Sequence, residues 1–174
     1  VYRYVCRSII SFSKNLWTLM QVSPQLFRTM GLKFTRIFLS SEKFDPEVKL
    51  WRAVVVNAIE DTNNPHSDRK NSLQKIYAHN WITGKTKDFE KVCYWGKLDP
   101  DDIYDCYVNA IKLKKIYFNE RQVQWHPYDK LYRKMSDCDP GSKKRIRKKL
   151  FEMRATINET TTAVCSTIFV SAFS

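Results

Sequence analysis

The run Lys143-Lys144-Arg145-Ile146-Arg147-Lys148-Lys149 places six cations in seven residues, and Arg154 follows. On a helix lying along a duplex, such side chains neutralise several phosphates, and binding then falls steeply with salt as counterions are released. Lys144 with Lys148 and Arg145 with Lys149 stand four apart and repel one another, which favours an anionic partner over a merely solvated face. A second group of cations, Lys112, Lys114, Lys115 and Arg121, lies upstream. Near the basic end, Tyr117, Phe118, Trp125, Tyr128 and Tyr132 interleave with Arg121, Lys130 and Arg133. Rings in that setting stack on unpaired bases, although at helical spacing they more often fill a core.

Other chemistry finds little support. His66, His79 and His126 are isolated, and their spacing with Cys93 and Cys106 is not that of metal ligands. The five cysteines, Cys6, Cys93, Cys106, Cys138 and Cys165, are odd in number and contain no Cys-x-x-Cys pair, so reduced thiols in a cytosol-like compartment are expected. Gly-x-Ser-x-Gly, phosphate-loop and His-Glu-x-x-His patterns are all missing from the sequence. Asp88 with Glu90, and Asp101 with Asp102, have the composition of a nuclease cluster, but helix capping accounts for both. The expectation is a protein that is not an enzyme, with no catalytic or metal site and no cofactor. No run of 18 apolar residues exists, so no membrane span is expected.

Charge is unevenly placed along the 174 residues, which carry a net +12. Residues 1–41 hold six basic residues and no acid, and residues 42–127 hold fourteen basic against thirteen acidic. Residues 128–154 hold ten basic against four acidic, and the remaining twenty add only Glu159. A near-neutral body between two basic ends concentrates the field that draws polyanions. The first segment is also composed like an organelle transit peptide, which would leave a mature terminus near residue 42. Alternatively it is an extension or arm, with Met30-Gly31 beginning the compact part. Gly occurs only four times, at 31, 84, 96 and 141, which disfavours Gly-rich phosphate loops and many-stranded sheets.

The elements that must position these groups read as helices. Asp45-Pro46-Glu47 opens one, with Val48, Trp51, Val54, Val55, Ala58 and Ile59 along an apolar stripe. A second has Leu73, Ile76, Tyr77 and Trp81 inside and Arg69, Lys70 and Lys75 outside, and Gly84 supplies a left-handed end. A short helix with Phe89, Val92 and Cys93 inward then meets a corner of Gly96 and buried Leu98. Asp99-Pro100 starts the next helix, with Ile103, Tyr107, Ala110, Ile111 and Lys114 on one side. Those are the ingredients of a helix-turn-helix, but Asp99, Asp101, Asp102 and Asp105 stand where base edges would be read, and four carboxylates repel DNA. Either the motif is a structural corner, or DNA meets the Lys112, Lys114, Lys115 and Arg121 side. Pro127 is expected to break or restart the stretch from Asn119. Tyr128, Leu131, Tyr132 and Met135 then pair with the seam Ile146, Leu150, Met153 and Ile157 in a helical hairpin. Val164 to Phe173 has a weak strand pattern.

The fold expected is all-α: a compact multi-helix domain with a helix-turn-helix-like corner and a C-terminal basic hairpin. Its parts are a basic arm over 1–41, a helical core over 42–118, the hairpin over 119–157 and a Thr/Ser-rich tail over 158–174.

Trp51-Arg52-Ala53-Val54-Val55, Ala58-Ile59-x-Asp61, Ala78-x-x-Trp81-Ile82, Asp88-Phe89-Glu90-x-Val92-Cys93 and Leu98-Asp99-Pro100-Asp101 follow in order across roughly 48–111. This pattern resembles a group of small helical proteins of unknown function from proteobacteria and their phages. Cys93-x-x-Gly96-x-Leu98-x-Pro100 is similar, more generally, to the helix-turn-helix of replication initiators and repressors. The resemblance implies a phage-encoded protein in a bacterial host cytoplasm. With the charge pattern it yields the leading expectation: a DNA- or RNA-binding protein in a regulatory or DNA-packaging role. The alternative is a protein-interaction or virion assembly component without a nucleic-acid site. In that reading the 48–59 stripe and the 142–157 seam meet a host or virion partner.

Overall fold

Five helices begin on a side chain that accepts from their own first turn, and these caps set the corners of the chain. Asp68, Thr86, Asp99 and Asp139 accept from the amides of Asn71, Phe89, Asp101 and Ser142. Asn119 and Gln122 form a reciprocal capping box. The computed structural model describes residues 24–39 and 45–160. These form α1 (Pro24–Met30), α2 (Leu32–Leu39), α3 (Pro46–Thr62), α4 (Arg69–Thr83), α5 (Lys87–Trp95), α6 (Pro100–Lys112), α7 (Glu120–Lys134) and α8 (Pro140–Glu159). A 3-10 turn, Met135–Asp137, links the last two, and no strand occurs among the described residues. The all-α class is what the periodicity predicts. The segment with a strand pattern, 164–173, lies outside the described residues, as do residues 1–23 of the expected arm.

The main core gathers Phe34, Val55, Ile59, Ile82, Phe89, Ile103 and Tyr107, each fully buried, from α2 to α6. Phe89, Val92, Cys93 and the corner residue Leu98 are buried as their spacing predicts. A second cluster joins Leu73 of α4 to Trp125 and Tyr128 of α7 and Leu150 and Ile157 of α8, flanked by Leu131, Met135, Ile146 and Met153. Helix α4 lends Trp81 and Ile82 to the first core and Leu73 to the second, so it anchors the α7–α8 hairpin to the body.

Several expectations are corrected. Residues 24–39 are no free arm: Leu26, Met30, Phe34 and Phe38 lie inside the main core, and α1 and α2 both pack on α6. Pro127 sits inside a continuous α7 without ending it. Its missing amide costs one bond, while Trp125 and Tyr128 on either side hold the helix down by burial. Gly84 and Gly96 keep right-handed backbones, and the left-handed residue at each corner is the following Lys85 or Lys97, at φ 40° and 49°. Gly31 alone among the four takes positive φ, 88°, where α1 turns into α2. Lys114 falls beyond the end of α6, exposed and at φ 55°, so it covers no helical stripe.

Lys75 is the largest departure. Expected outside, it is only 3% exposed, and its ammonium donates to the Asn64 carbonyl at 3.0 Å. Arg52 is similarly buried, turned inward from α3. It donates to Gly96 O at 2.9 Å, Ile37 O at 3.1 Å and Lys97 O at 3.4 Å, and so closes the C-terminal ends of both α2 and α5.

Candidate nucleic-acid interface

Helix α8 is held to the protein by one stripe. Leu150 and Ile157 are buried, and Ile146 and Met153 are half-buried against α7. The rest of its circumference faces outward and carries the cations. Lys144, Arg145, Arg147, Lys148, Lys149 and Arg154 are exposed, and Lys143 flanks the seam, half-buried. At 3.6 residues per turn, Lys144 and Lys148 stand opposite the seam, and Arg145 and Lys149 lie along one side between that face and the seam. None of these seven has a carboxylate within 4 Å among the described residues.

The last turns of α7 run beside the start of α8 and add Lys130, Arg133 and Lys134. Residues 130–149 thus hold nine Lys and Arg against two Asp. One of those acids, Asp139, is committed as the α8 cap. The backbone-amide end of α8 adds its own partial positive charge. Three repelling pairs four residues apart, with cations in the first turn, cost the isolated hairpin on the order of 1 kcal/mol, which a bound anion removes.

The aromatic side chains divide. Trp125 and Tyr128 are core, meeting edge to face with ring centroids 5.2 Å apart. Phe118 is buried beside His79, whose Nδ1 lies 2.9 Å from the Tyr107 hydroxyl. Tyr132 is 45% exposed, but the Arg69 guanidinium lies 4.6 Å from its ring and Tyr128 is nearly parallel to it. Behind these rings Asp129 is buried and bonded to Arg69 at 3.0 Å, Arg133 Nε at 2.7 Å and the Tyr77 hydroxyl at 2.8 Å. Burial alone raises this carboxyl, but the Tyr77 and Arg69 hydrogen bonds and the Arg133 charge outweigh it, holding Asp129 below its ordinary value. This network fixes α4 to α7 and stiffens the base of the cationic tip.

The second group of cations does different work. Arg121 donates to Asn158 O at 2.7 Å and to Thr160 O at 2.9 and 3.2 Å, satisfying carbonyls at the end of α8. Its guanidinium closes the hairpin, which leaves little of it for phosphate. Lys115 donates to Arg28 O, tying the end of α1 to the loop after α6. Lys112 and Lys114 are exposed, and the helix that leads to them packs in the main core, not with α8.

At the helix-turn-helix-like corner, Asp99 caps α6, Asp101 pairs with Lys85, and Asp102 lies 2.6 Å from Lys33 of α2. Three of the four acids expected to repel DNA are therefore engaged in capping or ion pairs, and the fourth, Asp105, is exposed. The faces expected to meet a partner chain are also occupied: Val48, Val55 and Ile59 are buried within the protein, and the α8 seam is buried on α7. Cys93 is a core thiol that burial pushes up to about 12, far from nucleophilic. Among the described residues no group of three or more His, Cys, Asp or Glu is placed to hold a metal, and no helix is long and apolar enough to cross a membrane. No family model, curated protein or solved structure matches this chain.

The outward cationic face of α8 was readable from sequence, whereas the roles of Lys75, Arg52 and Asp129 were not. For Arg52 the available signal is its helical spacing, four residues from both Val48 and Val56, although the apolar stripe read from the sequence includes neither Arg52 nor Val56.

Proposed function

We propose that the protein binds nucleic acid through the tip of the α7–α8 hairpin. One observation carries this reading: residues 130–149 hold nine cations, and eight of them, all but Arg133, have no carboxylate within 4 Å among the described residues. Natural surfaces usually intersperse charges of both signs, and a one-sign cluster on a rigid support suits a polyanion. Phosphate contacts of this kind position a protein on nucleic acid without reading sequence. A regulatory or DNA-packaging role belongs to the same proposal, and the sequence resemblance adds only the phage origin.

The test is titration of DNA and RNA against the wild type and against the variant with Lys144, Arg145, Lys148 and Lys149 changed to Glu. All four side chains are exposed, so the fold should survive, as circular dichroism would verify. Micromolar or tighter binding at low salt that disappears in the variant supports the proposal. A wild type that binds neither polymer at low salt ends it.

A further inference from the structure

Phe151 is 77% exposed, and it is the one large apolar side chain that α8 presents to solvent. Three of its four neighbours on the adjacent turns are cations: Arg147 and Lys148 stand on the preceding turn, and Arg154, with the small exposed Ala155, on the following one. The Arg154 guanidinium lies 6.0 Å from the Tyr128 ring, which draws it toward the hairpin while leaving it exposed. An aromatic ring held outward on a rigid helix, between cations one turn above and below, has the parts of a stacking platform with phosphate contacts on each side.

We infer that Phe151 stacks on an unpaired base and that the preferred ligand is therefore single-stranded nucleic acid, held by Arg147, Lys148 and Arg154 at the flanking phosphates. This rests on the nucleic-acid reading above and narrows it to a ligand class. Charge decides among the occupants. An anionic membrane would need an apolar face, and the apolar face of α8 is buried on α7, leaving Phe151 alone among polar and charged residues. A second copy of this chain would bring like charge against like. An intact duplex offers phosphates but keeps the faces of its bases stacked out of reach. Only a strand with unpaired bases uses both the ring and its cations.

The experiment compares binding of oligo(dT), oligo(U) and a mixed duplex of equal length to wild type, Phe151→Ala and Phe151→Tyr at one salt concentration. Phe151→Ala should weaken single-strand binding by about 5- to 150-fold, the range seen when one stacking ring is removed. Duplex binding should not change, and Phe151→Tyr should keep the wild-type affinity. The inference is overturned if Phe151→Ala binds single strands as the wild type does, or loses duplex binding equally. It is also overturned if the substitution abolishes self-association or binding to phosphatidylserine vesicles while leaving strand binding intact. Those results leave the hairpin's nucleic-acid role standing. Absence of all binding by the wild type would remove both.

Discussion

Replacing Lys75 by Met should stabilise the protein below neutral pH and remove a pH dependence above it. Lys75, on α4, is enclosed by the Asn64 carbonyl and the Phe118 and Tyr117 rings, whose centroids lie 5.0 and 5.6 Å from its nitrogen. Burial pushes its ammonium from 10.5 down to about 8. The hydrogen bond to Asn64 does not prevent this, because the neutral amine still donates. In the unfolded chain the group titrates near its ordinary value, so between pH 8 and 10.5 the unfolded state binds more protons and stability rises with pH. Below pH 8 the folded state carries the whole cost, about 3 kcal/mol at 1.36 kcal/mol per unit. Met fills similar volume, and Asn64 O keeps a second donor, Gln122 Nε2 at 3.3 Å, so its loss of one hydrogen bond costs roughly 1 kcal/mol. Urea unfolding at pH 6.5 should therefore favour Lys75→Met by about 1–3 kcal/mol, and at pH 9.5 the gap should close by about 2 kcal/mol. A variant less stable at pH 6.5, with the same pH slope as the wild type, would refute the placement of Lys75.

Three further substitutions probe the scaffold. Phe34→Ala empties a fully buried site in the main core and should cost about 3–5 kcal/mol in chemical unfolding, whereas no effect would mean that residues 24–39 do not pack there. Arg52→Met leaves the carbonyls of Ile37, Gly96 and Lys97 without their buried donor and should lower stability by about 2–4 kcal/mol, with faster amide exchange at the ends of α2 and α5. Asp129 has a folded-state value depressed below 3.8, so its contribution is present above that pH and is lost as pH falls through the lower folded value. Asp129→Asn should cost about 2–4 kcal/mol at pH 7, and the difference from wild type should narrow in titrations below pH 4.

The parts of this fold that were legible in the sequence are those written in local chemistry. Asp99-Pro100 announces a helix start because capping needs only neighbouring residues, whereas Ser142, which reads as the cap of the last helix, lies in its first turn and donates its amide to the actual cap, Asp139. The Ile146, Leu150, Met153 and Ile157 seam is visible because a helix with one buried stripe repeats at three and four. What was not legible depends on partners distant in the chain. Lys75 reads as an outer lysine until the Asn64 loop and Phe118 close over it. Residues 24–39 read as an arm because α1 and α2 are short and carry basic residues with no acid. Their place is decided by Phe34 and Phe38 meeting a core assembled from α3 to α6. Within the candidate site, composition identified the cations of α8. It could not separate them from Arg121, which faces the end of α8, 37 to 39 residues away.

The central claim is that the outward cations of α8 contact phosphates, and the salt dependence of binding tests it most directly. With four of those contacts removed by changing Lys144, Arg145, Lys148 and Lys149 to Gln, log K against log salt on a single strand should become shallower by about 3, at roughly 0.7 per phosphate. A slope identical to that of the wild type would contradict the account, because the phosphates would then be held elsewhere.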